Sequence, residues 1–154
     1  MQDVYNLAER FRRAIDIAID NRELIMYPFY RFPDNCCDMT CDLLSQYFIE
    51  NGIQTVHING VHVDDCQWHH VWLQTVDGIV VDITADQFSE RKNMPSDIPA
   101  VHVGGEGAIH KIFCKNRQIE GPTDFEKSTC DSLGIPNKRK QDLFTAYTII
   151  KRYL

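Results

Sequence analysis

Cys37-Asp38-Met39-Thr40-Cys41-Asp42-Leu43-Leu44-Ser45-Gln46-Tyr47-Phe48-Ile49-Glu50-Asn51-Gly52-Ile53 has the spacing of a helix that ends where it should. Cys37, Cys41, Leu44 and Phe48 fall at i, i+4, i+7 and i+11 on one apolar face, and Asn51-Gly52 supplies the stop. Ahead of it, Pro33-Asp34-Asn35 reads as a turn with an Asn or Asp N-cap, so helix is expected from near Cys36. That start puts Cys37 at the positive end of the peptide dipoles. Dipole and free N–H groups favour the thiolate, which is the form of the thiol that attacks. A base nearby would complete the activation.

Six histidines are available, at 57, 62, 69, 70, 102 and 110, and local context favours His70. The run from His70 to Val76 alternates, Asp77-Gly78 is a turn signal, and the β-branched Ile79-Val80-Val81 returns, which together read as a hairpin. Asp82 lies on the return strand. An acid in so apolar a run needs a partner, and a histidine N–H on the neighbouring strand is the obvious one. Strand parity sharpens the expectation. A plain two-residue loop would put His70 and Asp82 on opposite faces, whereas a loop of Val76-Asp77-Gly78, with Gly78 left-handed, pairs Thr75 with Ile79 and Trp72 with Asp82. His70 and Asp82 then share a face as diagonal neighbours, so a three-residue loop or a compensating bulge is expected. Cys36 is the alternative nucleophile, and His69 the alternative base.

These residues resemble the papain-like superfamily in its transglutaminase-like branch. Members have a nucleophilic Cys, a small residue four positions on, Leu at six and Gly-Ile at fifteen and sixteen, and here Cys37 is followed by Cys41, Leu43 and Gly52-Ile53. His70-Val71-Trp72 and Asp82-Ile83-Thr84 match the His and Asp elements. Phe32 to Phe88, with Asp82-Ile83-Thr84-Ala85-Asp86-Gln87-Phe88 as its closing element, is similar to the bacterial transglutaminase-like cysteine proteinases, relatives of the lasso-peptide maturation protease. The likeness covers about a third of the chain. It implies an α+β, papain-like fold in which the nucleophile helix packs on an antiparallel sheet with helices at both ends. It also implies a Cys37-His70-Asp82 triad for acyl transfer at amide bonds, as a cysteine protease or glutamine deamidase/transglutaminase, with a protein or peptide substrate and no cofactor.

Composition narrows the rest. A chain of 154 residues, 44% hydrophobic and 25% charged, is expected to form one domain with a core large enough to need no disulfide staples. The net charge of −6 gives no basic field for nucleic acid or an anionic membrane, although Arg12-Arg13 and Lys138-Arg139-Lys140 are small basic patches. Met1-Gln2-Asp3-Val4 lacks the charged and apolar regions of a secretion signal, which points to a cytoplasmic protein or a domain of a secreted effector. The clustering of Cys36, Cys37 and Cys41 is unlike a disulfide framework and suggests reduced thiols.

Elsewhere, apolar spacing predicts helices over residues 3–20 and 142–154, and strands over 54–59, 100–103 and 109–114. Asn59-Gly60 reads as a turn and Tyr27 to Pro33 as an extended segment, its aromatics available as pocket walls. Gln87 could donate to an oxyanion but reads more readily as a surface amide, with the backbone N–H groups at the Cys37 helix start sufficing as an oxyanion hole. Gly104-Gly105-Glu106-Gly107 lacks the features of a phosphate loop. The rival use of the same residues is a non-enzymatic interaction module, possibly zinc-binding. His62, Cys66 and His69 have plausible ligand spacing, but the chain has no Cys-x-x-Cys pair.

Overall fold

A computed structural model describes residues 1–120 and 137–154. The first periodic segment forms α1 (Gln2–Asp20), which buries Val4, Ala8, Phe11, Ile15 and Ala18, with Leu7 and Ile19 at the margin. The aromatic segment after it is not extended. It makes a 3-10 turn at Phe29–Arg31, and the Tyr27-Pro28 and Phe32-Pro33 bonds are cis. Burial of the Phe29 ring draws the chain inward, and the Asp34 N–H donates to the Arg31 carbonyl to close the next turn. Phe32, ahead of Pro33, keeps the extended dihedrals that proline imposes.

Helix α2 (Cys37–Glu50) starts one residue later than the sequence suggests, and its N-cap is Cys36 rather than Asn or Asp. The reason is local. Cys36 N–H bonds the Pro33 carbonyl and Asn35 is left-handed, so the turn consumes the residues that would have capped. At the other end Asn51 and Gly52 N–H groups return to Phe48 and Ile49, with Gly52 at φ 77° as the stop signal requires. Met39 to Phe48 is buried throughout. The helix is covered on two sides, by the sheet on one and by α1 and a C-terminal helix on the other. Two of its buried polar groups bring partners: Asp42 meets Arg139, and Ser45 Oγ lies 3.1 Å from Thr55 Oγ1.

The sheet contains β1 (Thr55–Val61), β2 (His69–Thr75), β3 (Val80–Asp82), β4 (His102–Gly104) and β5 (Lys115–Glu120), in the order β4-β3-β2-β1-β5 and antiparallel throughout. With the helices this is an α+β chain. Val71, Leu73, Val81 and Ile83 join the cluster formed by α1 and α2, whereas Trp72 and Val80 join Ile58, Phe88, Ile109 and Phe113 in a second cluster. Alternation therefore sends His70 and Asp82 to the side of Trp72 and Val80. The β2–β3 connection is the three-residue loop Val76-Asp77-Gly78. Gly78 has φ 81°, Thr75 pairs with Ile79, and Leu73 lies opposite Val81.

Two further local readings fail. Asn59-Gly60 is not a turn but lies within β1, with Gly60 opposite His70. Residues 109–114 are not a strand. Ala108–Ile112 is the helix α3, its Lys111 N–H bonding the Gly107 carbonyl, and the next strand begins at Lys115. Ile109, Ile112 and Phe113 are at i, i+3 and i+4, so a short apolar run fits either period. The chain ends in α4 (Lys138–Ile150), where Asn137 Oδ1 caps the Lys140 N–H, followed by a 3-10 turn at Lys151–Tyr153.

Each basic patch has a member engaged in ion pairs, while Arg13 is exposed. Arg12 is buried and bidentate to Asp86, and Arg139 pairs with Asp38 and Asp42. Cys36, Cys37, Cys41, Cys66 and Cys114 are free thiols, while Cys130 lies outside the described residues. No helix among the described residues is long and apolar enough to cross a membrane.

Candidate active site

The site forms where the start of α2 meets the beginning of β2 and the end of β3. His70 is 0% exposed, enclosed by the rings of Phe88, Phe113 and Trp72 at 5.1, 5.5 and 5.7 Å. Its Nε2 lies 2.6 Å from Asp82 Oδ2, so the pair predicted from strand parity is made. His69, the alternative, is exposed on the other side of the strand. The Cys37 thiol at the start of α2 acts on the same ring and favours its charged form. Nε2 is occupied by Asp82, and Nδ1 has the Gln87 amide nitrogen 3.4 Å away.

Burial by itself would disfavour the imidazolium. The Asp82 charge and hydrogen bond outweigh it, helped by Cys37, and hold the His70 pKa up at about 10. Asp82 is the mirror case. Burial acts to raise its pKa, but His70 and His110 prevail and keep it well below the usual carboxylate range. Its oxygens are saturated: Oδ1 accepts from Thr84 N–H at 2.9 Å and Thr84 Oγ1 at 3.3 Å, and Oδ2 faces His70 and His110 Nε2, the latter at 3.1 Å.

The three clustered cysteines differ sharply. Cys36 is buried, donates to the Asp34 carbonyl at 3.3 Å, and has its thiol pKa pushed up to about 12, first by burial and then by Cys37 and Asp34. Cys41 is buried, donates to the Val71 carbonyl, and burial holds its thiol well above the ordinary range. Cys37 alone of these three is part-exposed and faces a histidine. Thiolate chemistry requires that combination of access and a cationic neighbour.

Gln87 is not a surface amide. On the 3-10 turn Ala85–Phe88 it is half-buried, with Nε2 donating to the Thr84 carbonyl at 2.9 Å and lying 3.4 Å from His70 Nδ1. Its Oε1 accepts from Asn35 N–H at 3.4 Å, tying the turn before α2 to the turn after β3. One side of Gln87 lines an open cleft of about 540 Å³ with Arg31, Phe32, Pro33, Asp34 and Arg91. Its place in the closing element Asp82 to Phe88 is the sequence signal for this position, and it leaves the surface reading open. His110, a further partner of Asp82, was hidden because it is 28 residues from Asp82 in sequence and on an element misread as a strand.

The zinc-type residues are not assembled. His62 Nδ1 accepts from the N–H groups of Asp64 and Asp65, Cys66 is exposed, and His69 points away from them into solvent. Among the described residues no three His, Cys, Asp or Glu side chains are placed to hold a metal ion. Comparisons of the chain with protein families, curated proteins and solved structures gave no match.

Proposed function

We propose that this chain is a thiol-dependent acyltransferase acting at amide bonds, built on a papain-like, transglutaminase-like variant of its α+β fold. The observation that carries the reading is His70, a buried imidazole bonded to Asp82 through Nε2 and raised in pKa by Asp82 and by Cys37 at a helix start. In this mechanism the Cys37 thiolate, paired with the His70 imidazolium, attacks the carbonyl carbon of a peptide or side-chain amide. The first-turn N–H groups of α2 stabilise the oxyanion, and the Gln87 amide, 3.4 Å from His70 Nδ1, is a second candidate donor. His70 gives its proton to the leaving amine, and the thioester is then resolved by water, which His70 deprotonates, or by a second amine. Asp82 keeps the imidazole in the productive tautomer. The cleft beside Gln87 receives the protein or peptide substrate.

Iodoacetamide labelling between about pH 5 and 9, with mapping of the labelled cysteine, tests the reading. Selective alkylation of Cys37 at the acidic end, lost in His70→Ala, is the expected result. Uniform slow labelling that follows an ordinary thiol titration overturns it.

A further inference from the structure

We propose that His110 is a positioning residue of this site, its Nε2–H donating to Asp82 Oδ2 and aiming the carboxylate at His70. The inference rests on the acyltransferase reading above. His110 Nδ1 is 3.0 Å from the Gly107 N–H, which can only donate, so Nδ1 carries the lone pair and the proton sits on Nε2. The tautomer follows from this hydrogen-bond network. The ring is fully buried, so neither bond is exchanged with water.

The two oxygens of Asp82 are held from different parts of the chain. Thr84, two residues on, fixes Oδ1 from the same strand end. His110 fixes Oδ2 from α3, across the second core cluster. Because its other nitrogen is taken by a backbone donor, His110 in this tautomer brings a hydrogen bond without a positive charge. A cation in its place would cancel the carboxylate charge that sustains the His70 imidazolium. The glycine ahead of α3 serves the same arrangement: a Cβ on Gly107 would lie 3.1 Å from His102 Cε1 and 3.4 Å from His110 Nδ1.

The titratable and charged groups facing this pair come from four elements. They are His70 from β2, Cys37 and Cys41 from α2, His102 from β4 with its ring centroid 4.9 Å from that of His110, and Arg117 from β5. Arg117 bonds the His110 carbonyl and pairs with Glu106, so its charge is already engaged.

The test uses the full chain with His110→Phe, which keeps a ring and removes the donor, and His110→Gln, whose amide nitrogen replaces Nε2. Asp82→Asn is the reference, and the readout is the rate of Cys37 alkylation against pH. The Phe variant is expected to move the onset of alkylation up by about one pH unit, about tenfold slower near pH 6, towards Asp82→Asn. The Gln variant is expected to stay within about threefold of wild type, since it still donates. Thermal melts of both variants report packing separately. A Phe variant with the wild-type profile, or Phe and Gln variants displaced equally, overturns the proposal. If His110→Phe does not fold, His110→Asn, too short to reach Asp82, carries the same expectation. A wild type whose Cys37 titrates as an ordinary thiol removes the acyltransferase reading and this proposal with it; acid-side reactivity with an unchanged Phe variant removes this proposal alone.

Discussion

Gly60 stands opposite His70 in the β1–β2 ladder, and the volume its missing side chain leaves is filled by the Phe113 carbonyl and the Trp72 ring. A Cβ there would lie 2.0 Å from that carbonyl oxygen and 2.9 Å from the Trp72 ring edge. Trp72 in turn packs on both His70 and His110. Gly60→Ala therefore overpacks the wall of the site and is expected to destabilise the fold by roughly 1–3 kcal/mol. Denaturant unfolding measures the loss, and a variant as stable as wild type would show that Phe113 and Trp72 can retreat.

Adjacent thiols provide the second test. Cys37→Ala should abolish thiol-dependent activity and the acid-side alkylation. Cys36→Ala, which removes a buried thiol bonded to a carbonyl, should keep most activity and lose only about 1 kcal/mol of stability. Peptide mapping of the alkylated variants checks this, and exchanged outcomes would make Cys36 the nucleophile.

Stability should depend on pH through the His70–Asp82 pair. The folded value of His70, about 10, lies above its ordinary 6.5, so its stabilisation is complete below 6.5 and drains away as pH rises towards 10. The Asp82 contribution has the opposite sense: it is present above the ordinary 3.8 and is lost as pH falls below that. The gap in unfolding free energy between wild type and His70→Gln should thus be widest from about pH 4 to 6.5 and narrow steadily on the alkaline side. A gap that stays constant from neutral pH to pH 10 would mean that His70 is not charged in the folded state.

Activity should follow a bell whose alkaline limb belongs to the coupled Cys37–His70 pair and lies near pH 10, where His70 gives up its proton. Asp82→Asn removes the charge that sustains the imidazolium. It should pull that limb towards neutrality and lower turnover by as much as ~10⁴. A limb unmoved by this substitution would take Asp82 out of the mechanism.

What the sequence made legible was local. Cys37 to Gly52 carries its own period and stop, and Asp77-Gly78 with the parity of His70 and Asp82 calls for a three-residue loop or a compensating bulge if the two are to meet. Contacts between distant segments left no such trace. Gly60 is read as a turn because a glycine after asparagine signals one, and only the approach of Phe113, 53 positions on, explains its place in a strand. His110 and Gln87 reach the site on elements of five and four residues, too short for periodicity to register. The basic pair at Arg12-Arg13 is a surface patch by composition, yet Arg12 lies on the buried face of α1 with its acidic partner 74 positions away.

That buried arginine supplies the last prediction. Arg12 is bidentate to Asp86, donates to the carbonyls of Ile83 and Ala100 at 2.8 and 3.2 Å, and lies 4.6 Å over the Phe32 ring. It thereby joins α1 to the turn that carries Gln87 and to the segment before β4. Burial disfavours its charge, but Asp86 and Asp16 more than offset that, and its pKa is raised. Arg12→Met keeps much of the packing and leaves Asp86, about one-fifth exposed, without its cation. Breaking such a pair costs about 3 kcal/mol, near the lower end for buried pairs because Asp86 retains some water. Removing both charges with Arg12→Met and Asp86→Leu should recover part of the stability, since an apolar pair can replace a buried ion pair. It should not recover activity to the same extent, because the turn holding Gln87 loses the clamp that sets its position. Unfolding curves and alkylation rates of the single and double variants separate the two effects; full recovery of both together would reduce Arg12 to a purely structural bond.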